Sequence, residues 1–174
     1  MRKNIILVGF MGTGKSSVGR RLAGRLQMTF YDTDCEMEAV TGLDLTTLYW
    51  KCGKIRFQSE ENLVLNKLLQ KEHCVIATGG TLQLYEERLQ AMRQSGMVVC
   101  LKAAPAMLRR RIVRKSNRPL LRREQMLEEL CQMYERQVCW EQVADLVVDT
   151  TEKSFEEIIQ AICVVWERER HGIL

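Results

Sequence analysis

Short apolar runs alternate along the chain with longer segments in which apolar residues recur at helical spacing. The near-continuous apolarity of the runs predicts strands that are buried on both faces. In the segments between them, apolar residues share one helical face, as Val18, Leu22 and Leu26 do. Strands that alternate with helices predict an α/β fold with a parallel sheet and right-handed crossovers. The predicted strands are residues 4–8, 29–31, 74–77, 97–101 and 146–148.

Two of the predicted helices have recognisable starts. Pro105 suits a first helical turn, and Leu108 and Ile112 follow it on one face. Ser154 stands three residues before Glu157, which is the spacing of a capping box. We expect the helix that follows to pack against the sheet. Its apolar residues at helical spacing are Phe155, Ile158, Ile159, Ile162 and Trp166.

The composition is that of a folded protein with no strong charge bias. Of the 174 residues, 46% are hydrophobic and 28% are charged, and the formal net charge is +4. This excess is too small to indicate nucleic-acid binding. No apolar run has the length of a signal-peptide core or a membrane span. No Pro/Gly/Ser-rich linker divides the chain, so we expect a single domain over residues 1–174. We also expect a cytoplasmic monomer without nucleic-acid or membrane partners.

The cysteines do not form a recognisable metal or disulfide pattern. The chain has seven, with no Cys-x-x-Cys pair and none beside its two histidines. We therefore expect scattered, reduced thiols that lie mostly in the core.

A phosphate-binding loop is the clearest chemical motif. The first predicted strand runs into Gly9-x-x-x-x-Gly14-Lys15-Ser16 and then into an amphipathic helix, the context that this motif requires. Backbone N–H groups of the loop and the helix N-terminus would bind phosphate, Lys15 would reach the β- and γ-phosphates, and Ser16 would ligate Mg²⁺. The alternative is a glycine-rich turn that binds no nucleotide. The sequence thus predicts ATP and Mg²⁺ as cofactors. The predicted nucleotide-binding residues of this segment are Gly12, Thr13, Gly14, Lys15, Ser16 and Ser17.

Two carboxylates follow the second strand. Asp32 and Asp34 stand two residues apart, so in an extended segment they face the same side, at the carboxyl end of the sheet where ligands of open α/β folds bind. One carboxylate would hold metal-bound water, and the other would orient or deprotonate an acceptor hydroxyl. The alternatives are a solvated turn and a helix N-cap.

A glycine pair follows the third strand. Gly79 and Gly80 would let a phosphate or an acceptor approach the backbone closely. The alternative is a plain strand-to-helix turn.

Basic residues crowd between positions 109 and 123 without an aromatic residue for stacking on bases. We interpret this stretch as a lid that brings an arginine over the transferred phosphoryl group, and Arg118, before Pro119, is the candidate. Most of the other basic residues here, including Arg109, fit a solvated helix end.

Taken in order and spacing, these motifs resemble the shikimate kinase family over nearly the whole chain. The resemblance implies a three-layer P-loop kinase fold, with a five-stranded parallel sheet of the nucleoside-monophosphate-kinase type, and MgATP-dependent phosphorylation of the 3-hydroxyl of shikimate. It implies Lys15, Asp34 and Arg118 as catalytic residues, and Asp32 as a metal residue beside Ser16. It also places Arg111, Arg118 and Lys153 at the nucleotide and a closing lid near 112–124. The acceptor-site residues that it implies are Asp34, Gln58, Gly79, Gly80 and Arg136.

Two departures from the family pattern fall in the acceptor half. Gln58 stands where the family has an arginine that binds the acceptor carboxylate, and a neutral amide offers neither charge nor a bidentate fork. Arg56 is a poor substitute, because two residues back lies roughly 200° around a helix. Thr81 replaces the third family glycine. Arg136 lies opposite the apolar face of a helix predicted over 127–138, so it either lines the cleft or is solvated.

Three functions remain open at this point. The first is shikimate kinase activity. The second is kinase chemistry on another hydroxylated acceptor, which Gln58 and Thr81 suggest. The third is a nucleotide-binding protein without acceptor turnover.

Overall fold

The structure, a computed structural model, describes residues 2–80, 82–83, 85–114, 134 and 139–170. Helices connect the successive strands along these residues, as the apolar pattern predicts, and α2, α3 and α4 all lie between β2 and β3. The strands are β1 (Asn4–Val8), β2 (Thr29–Asp32), β3 (Cys74–Ala77), β4 (Gly96–Lys102) and β5 (Leu146–Asp149). The helices with described bounds are α1 (Lys15–Leu26), α2 (Thr33–Thr41), α3 (Leu45–Trp50), α4 (Lys54–Leu69), α5 (Glu86–Ser95), α6 (Pro105–Arg114) and α7 (Phe155–Arg170). Residues 139–143 are also helical.

The five strands form one parallel sheet in the order β2-β3-β1-β4-β5. The central strand β1 pairs with β3 on one side and with β4 on the other, so Ile6 is in register with both Ile76 and Val98. All carboxyl ends therefore lie at one edge of the sheet. The loops that follow β1 and β3 and the start of α2, which follows β2 directly, lie at that edge, which is where open α/β folds bind ligands.

Alternate residues of β1 enter two separate cores, one on each face of the sheet. Ile5 and Leu7 pack with α1 and α7, whereas Ile6 and Val8 pack with α2 to α5 and Trp140. The sheet thus forms the middle of three layers. This arrangement confirms the predicted α/β fold with a five-stranded parallel sheet.

The predicted strands all appear, and their bounds differ from the prediction by at most one residue at either end. The expectation that every strand is buried on both faces is wrong for β2, whose residues are exposed or half-buried, and for β5, in which only Val148 is buried. The reason is their position: β2 pairs only with β3 and β5 only with β4, so both are edge strands. The predicted helix over 127–138 falls, apart from Tyr134, outside the described residues.

The predicted capping box is present at the start of α7. The backbone N–H of Ser154 donates to Glu157 Oε2 at 2.8 Å, and that of Glu157 donates to Ser154 Oγ at 3.3 Å. The Ser154 hydroxyl also donates to Glu157 Oε2, at 2.6 Å, and this bond together with that from the Ser154 N–H lowers the pKa of the Glu157 carboxyl, because both favour its charged form. Over the described part of the chain, we find no helix that combines the length and apolarity needed to span a bilayer.

Candidate active site

The phosphate-binding loop joins β1 to α1, in the context that the sequence predicts. Gly12 and Gly14 have φ angles of +87° and +100°, a backbone region that favours glycine. Gly14 is the N-cap of α1, and no side chain caps this end of the helix. The amide dipoles of α1 therefore point toward the loop, as phosphate binding requires.

Lys15 is the first residue of α1 and is only 7% exposed. Its ammonium group donates to the carbonyl of Gly9 at 2.5 Å and to that of Phe10 at 3.0 Å. Carbonyl groups of the loop thus bind the ammonium group of Lys15. This is the place from which a lysine reaches the phosphates of a bound nucleotide.

A group of hydrogen bonds centred on Thr150 fixes the position of the loop. The hydroxyl of Thr150, a buried residue just after β5, lies 3.0 Å from the carbonyl of Thr13 and 3.1 Å from that of Lys102. Arg111, on α6, donates to the Thr150 hydroxyl at 3.1 Å, to its carbonyl at 2.7 Å and to the Gly12 carbonyl at 3.4 Å. We call these residues the Thr150 latch. It ties the phosphate loop to the ends of β4, β5 and α6.

Two residues predicted to serve the metal lie at the same edge of the sheet. Ser16 is exposed in the first turn of α1, and Asp32 is half-buried at the end of β2. Asp32 is also the N-cap of α2, since its Oδ1 accepts from the N–H of Asp34 at 3.1 Å. The expectation of an extended segment is therefore wrong. The chain turns into α2 at Thr33, because this Asp side chain satisfies an N–H of the first turn.

Asp34 still reaches the site, from the first turn of α2. A methyl group at Gly79 would lie 2.7 Å from Asp34 Oδ1 and 3.1 Å from Glu61 Oε1, so both carboxylates border the same small volume. The N–H of Gly79 donates to the buried Thr33 hydroxyl at 2.8 Å. Asp34, Glu61 and the start of the β3–α5 loop thus meet beside Gly79.

Gly80 makes the contact with the donor side. A methyl group at this position would lie 2.8 Å from Met11 Cβ and 3.0 Å from Met11 N, inside the phosphate loop. No side chain fits there without a shift of the loop. The glycine pair therefore lies between the phosphate loop and the Asp34 carboxylate.

The comparisons with known proteins agree on the family. Residues 11–166 match the shikimate kinase family. A shikimate kinase of Pelotomaculum thermopropionicum is 43% identical over 160 residues, which cover 92% of this chain and 93% of the relative. One of Thermodesulfovibrio yellowstonii is 34% identical over 170 residues and 98% of each chain. The chain belongs to the shikimate kinase family.

A solved structure extends this likeness to the fold. The shikimate kinase from Acinetobacter baumannii in complex with shikimate has a TM-score of 0.87 and is 33% identical, with 95% of this chain and 93% of that chain covered. The resemblance stated from the motifs is confirmed. So is the predicted enzyme class, an ATP-dependent phosphotransferase.

Gln58, the first departure from the pattern of the shikimate kinase family, is half-buried in α4. It lies three residues before Glu61, so the two side chains are neighbours on the helix surface. Arg56 is exposed, with its Nε 3.7 Å from Glu60 Oε1. The arginine therefore turns to solvent, as its angular offset on the helix predicts.

The remaining predicted site residues are Lys153, Arg118, Arg136 and those of the lid. Lys153 is exposed between β5 and α7, three residues after Thr150. Arg118, Arg136, Thr81 and most of the segment 112–124 lie outside the described residues.

Two thiols near the site remain protonated at neutral pH. Burial raises the pKa of Cys100, behind the phosphate loop, to about 12. The pKa of Cys35, on α2, is raised by burial and by the charges of Asp32, Glu38 and Asp34. Neither group is therefore a thiolate nucleophile. Among the described side chains, no three of the His, Cys, Asp and Glu residues form a group that would hold a metal.

Sequence reasoning did not single out three residues of this site: Thr33, Glu61 and Thr150. Glu61 had a detectable signal, since it lies four residues after Phe57 and four before Leu65 on the buried face of α4. A carboxylate on an apolar helix face requires a partner and indicates function or pairing. Thr150 had no such signal, because its contacts depend on the packing of four separate elements.

Proposed function

We propose that this chain transfers the γ-phosphate of MgATP to the 3-hydroxyl of shikimate. The observation that carries this proposal is the space beside the two glycines: a Cβ at Gly79 would meet Asp34 Oδ1, and a Cβ at Gly80 would meet Met11. A transferred phosphoryl group must pass between a donor loop and an acceptor base, and this glycine pair keeps the space between them free of side chains. The family and the shikimate named with the Acinetobacter baumannii structure support the choice of acceptor.

On the donor side, the N–H groups around Gly12, Thr13 and Gly14 would bind the phosphate oxygens, with Ser17 behind them in the first turn of α1. Lys15 would exchange its carbonyl contacts for the β- and γ-phosphates. Its charge would then stabilise the negative charge that develops on the transferred group.

On the acceptor side, Asp34 would accept the proton of the attacking hydroxyl. Its Oδ1 lies 2.7 Å from the place that a Cβ of residue 79 would occupy, so a hydroxyl held in that space lies within hydrogen-bond reach. Gln58 and Arg136 would contact the acceptor near its carboxylate, and Arg118 would cover the phosphoryl group when the lid near 112–124 closes.

The residues present fit a magnesium ion. Ser16 presents an exposed hydroxyl beside the loop, and the Asp32 carboxylate stands at the same edge. Mg²⁺ keeps several waters and takes few protein ligands, so this small oxygen set is sufficient. When bound, the ion would neutralise charge on the β- and γ-phosphates.

Three further assignments belong to the proposal. Arg111 and Lys153 would border the adenine, since Arg111 is held against Thr150 and Lys153 follows on the same segment. The chain would act as a monomer and a single domain. It would work in the cytoplasm without nucleic-acid or membrane partners.

The test is release of ADP from purified protein with MgATP, in the presence and absence of shikimate. We expect release to depend on shikimate and the product to carry phosphate on its 3-hydroxyl by nuclear magnetic resonance. ADP release that shikimate does not stimulate, even at millimolar concentration, would overturn the proposal. Omission of Mg²⁺ in a parallel assay tests the metal.

The neutral Gln58 favours one competing function, phosphorylation of a different hydroxylated acceptor. A panel of polyols and hydroxy acids in the same assay separates the two. If another compound shows a higher kcat/KM than shikimate, it is the better acceptor and the proposal is wrong in its substrate. If no compound stimulates turnover while ATP binds, the chain is a nucleotide-binding protein without acceptor turnover.

A further inference from the structure

The acceptor half of the site contains more negative charge than its chemistry uses. Asp34 and Glu61 both border the volume beside Gly79, and Glu61 is only 2% exposed. The proposed acceptor is itself an anion. A charge that is buried beside it raises the cost of its binding unless a cation balances that charge.

Arg88, on α5, is placed to provide this balance. Its Nη2 donates to Asn62 Oδ1, next to Glu61 on α4, and its Nη1 donates to the carbonyl of Gln83, in the loop that follows the glycine pair. Two elements of the acceptor half therefore hold the guanidinium in place. Its planar fork suits such a double anchor.

The Arg88 guanidinium is hydrogen-bonded to Asn62, the residue directly after Glu61 on α4, which brings it to the neighbourhood of that carboxylate. Burial lowers the pKa of the Arg88 guanidinium, and the neighbouring Glu61 carboxylate opposes that shift. The ring of Tyr85 also lies against the guanidinium, with its centroid 5.1 Å from Cζ. Arg88 thus remains a fixed cation in a half-buried position.

We propose that Arg88 is a specificity-determining residue for the acidic acceptor: it neutralises Glu61, so an anion that enters beside Gly79 meets no uncompensated second carboxylate. The inference rests on the function proposed above. It also bears on Gln58: with a neutral residue at position 58 of α4, the cation that balances Glu61 would come from α5 instead.

The experiment is a charge cycle with the variants R88Q, E61Q and E61Q/R88Q. The KM values for shikimate and for ATP are measured by ADP release, and the thermal midpoint is measured for each variant. We expect R88Q to raise the KM for shikimate roughly tenfold, as for one unbalanced charge in a half-buried site, with the KM for ATP unchanged. The double variant should return close to the wild-type value, because both charges are then absent.

Two more variants separate charge from packing. R88K keeps the cation and should retain a KM for shikimate within about threefold of wild type. R93Q removes an exposed arginine from the same helix, one that donates to the carbonyl of Val143, and should change neither KM. A role in packing alone predicts instead that E61Q/R88Q is at least as impaired as R88Q and that the KM for ATP rises too.

The outcomes are distinct. Suppose that the wild-type protein turns over shikimate. If R88Q then has an unchanged KM for shikimate, or if the KM does not recover in E61Q/R88Q, this inference is overturned and the proposed function stands. Wild-type protein without shikimate-dependent turnover would overturn both. A raised KM for shikimate in R88Q that E61Q reverses would establish the charge balance.

Discussion

The two halves of the site are built in different ways. The donor half consists mostly of backbone: the loop carbonyls hold Lys15, and the Thr150 latch fixes Thr13 and Gly12 through their carbonyl oxygens. The acceptor half consists of side chains that converge on Gly79 from α2 and α4, with Arg88 of α5 beside them. The first construction tolerates change in most side chains, whereas replacement of Asp34, Glu61 or Arg88 by a neutral residue changes the charge of the second.

This difference explains where the chain departs from its family. The loop matches the phosphate-binding motif at every fixed position, but Gln58 and Thr81 both fall in the acceptor half. A backbone cradle can bind any nucleoside triphosphate. The side chains of the acceptor half select the acceptor, so substitutions in that half change the substrate specificity.

The largest expected effect is on the acceptor side. Asp34→Asn removes the proton acceptor but keeps the shape of the side chain, and we expect kcat to fall by roughly 10²–10⁴-fold. Stopped or quenched ADP-release assays at saturating substrates measure it. Glu36→Gln, in the first turn of the same helix, is the control and should leave kcat near wild type. A modest loss in Asp34→Asn would show that Asp34 only orients the acceptor.

The next effect is on the donor side. Lys15→Met keeps the buried stem but removes the charge from the loop, and we expect kcat to fall by roughly 10²–10³-fold. Lys67→Met, at an exposed position of α4, is the matched control. If Lys15→Met raises the KM for ATP but leaves kcat unchanged, Lys15 contributes to ground-state binding alone. That result would weaken the assignment of transition-state stabilisation to the donor half.

The fold and the donor half were predictable from local patterns. Five apolar runs sufficed for the sheet, because each strand buried on both faces appears as a continuous apolar segment. The edge strands β2 and β5 were the exceptions in burial, since an edge position depends on strand order and not on local sequence. The loop was predictable because its glycines, Lys15 and Ser16 are consecutive in sequence.

The acceptor half was less predictable, because its contacts join residues far apart in the chain. Asp32 and Asp34 were identified, but the turn into α2 makes Asp32 a cap, which adjacent sequence allowed as only one alternative. Arg88 and Glu61 are 27 positions apart, and no local pattern pairs them. Thr150 lies 137 positions from Thr13, whose carbonyl it contacts.

A gain of function sharpens the comparison further. Gln58→Arg places a cation one helical turn before Glu61, and charge-assisted hydrogen bonds to a carboxylate contribute roughly 1.5–3 kcal/mol. We expect the KM for shikimate to fall by about tenfold or more, with the KM for ATP unchanged. Ser59→Arg adds the same charge at the exposed neighbouring position of α4 and is the control. Equal gains in both variants would mean that net charge, and not position 58, governs acceptor binding.

The smallest effect tests whether the Thr150 latch belongs to the donor half alone. Thr150→Val keeps the shape but leaves the carbonyl of Thr13 and one N–H of Arg111 without this hydroxyl, a loss of roughly 1–3 kcal/mol in a buried site. We expect the KM for ATP to rise about three- to tenfold and the thermal midpoint to fall by roughly 2–12 °C. Thr29→Val, at an exposed position of β2, should change neither. The KM for shikimate separates two outcomes. If it stays constant in Thr150→Val, the two halves are independent. If it rises together with the KM for ATP, a change in the loop alters the acceptor side through the close approach of Gly80 and Met11.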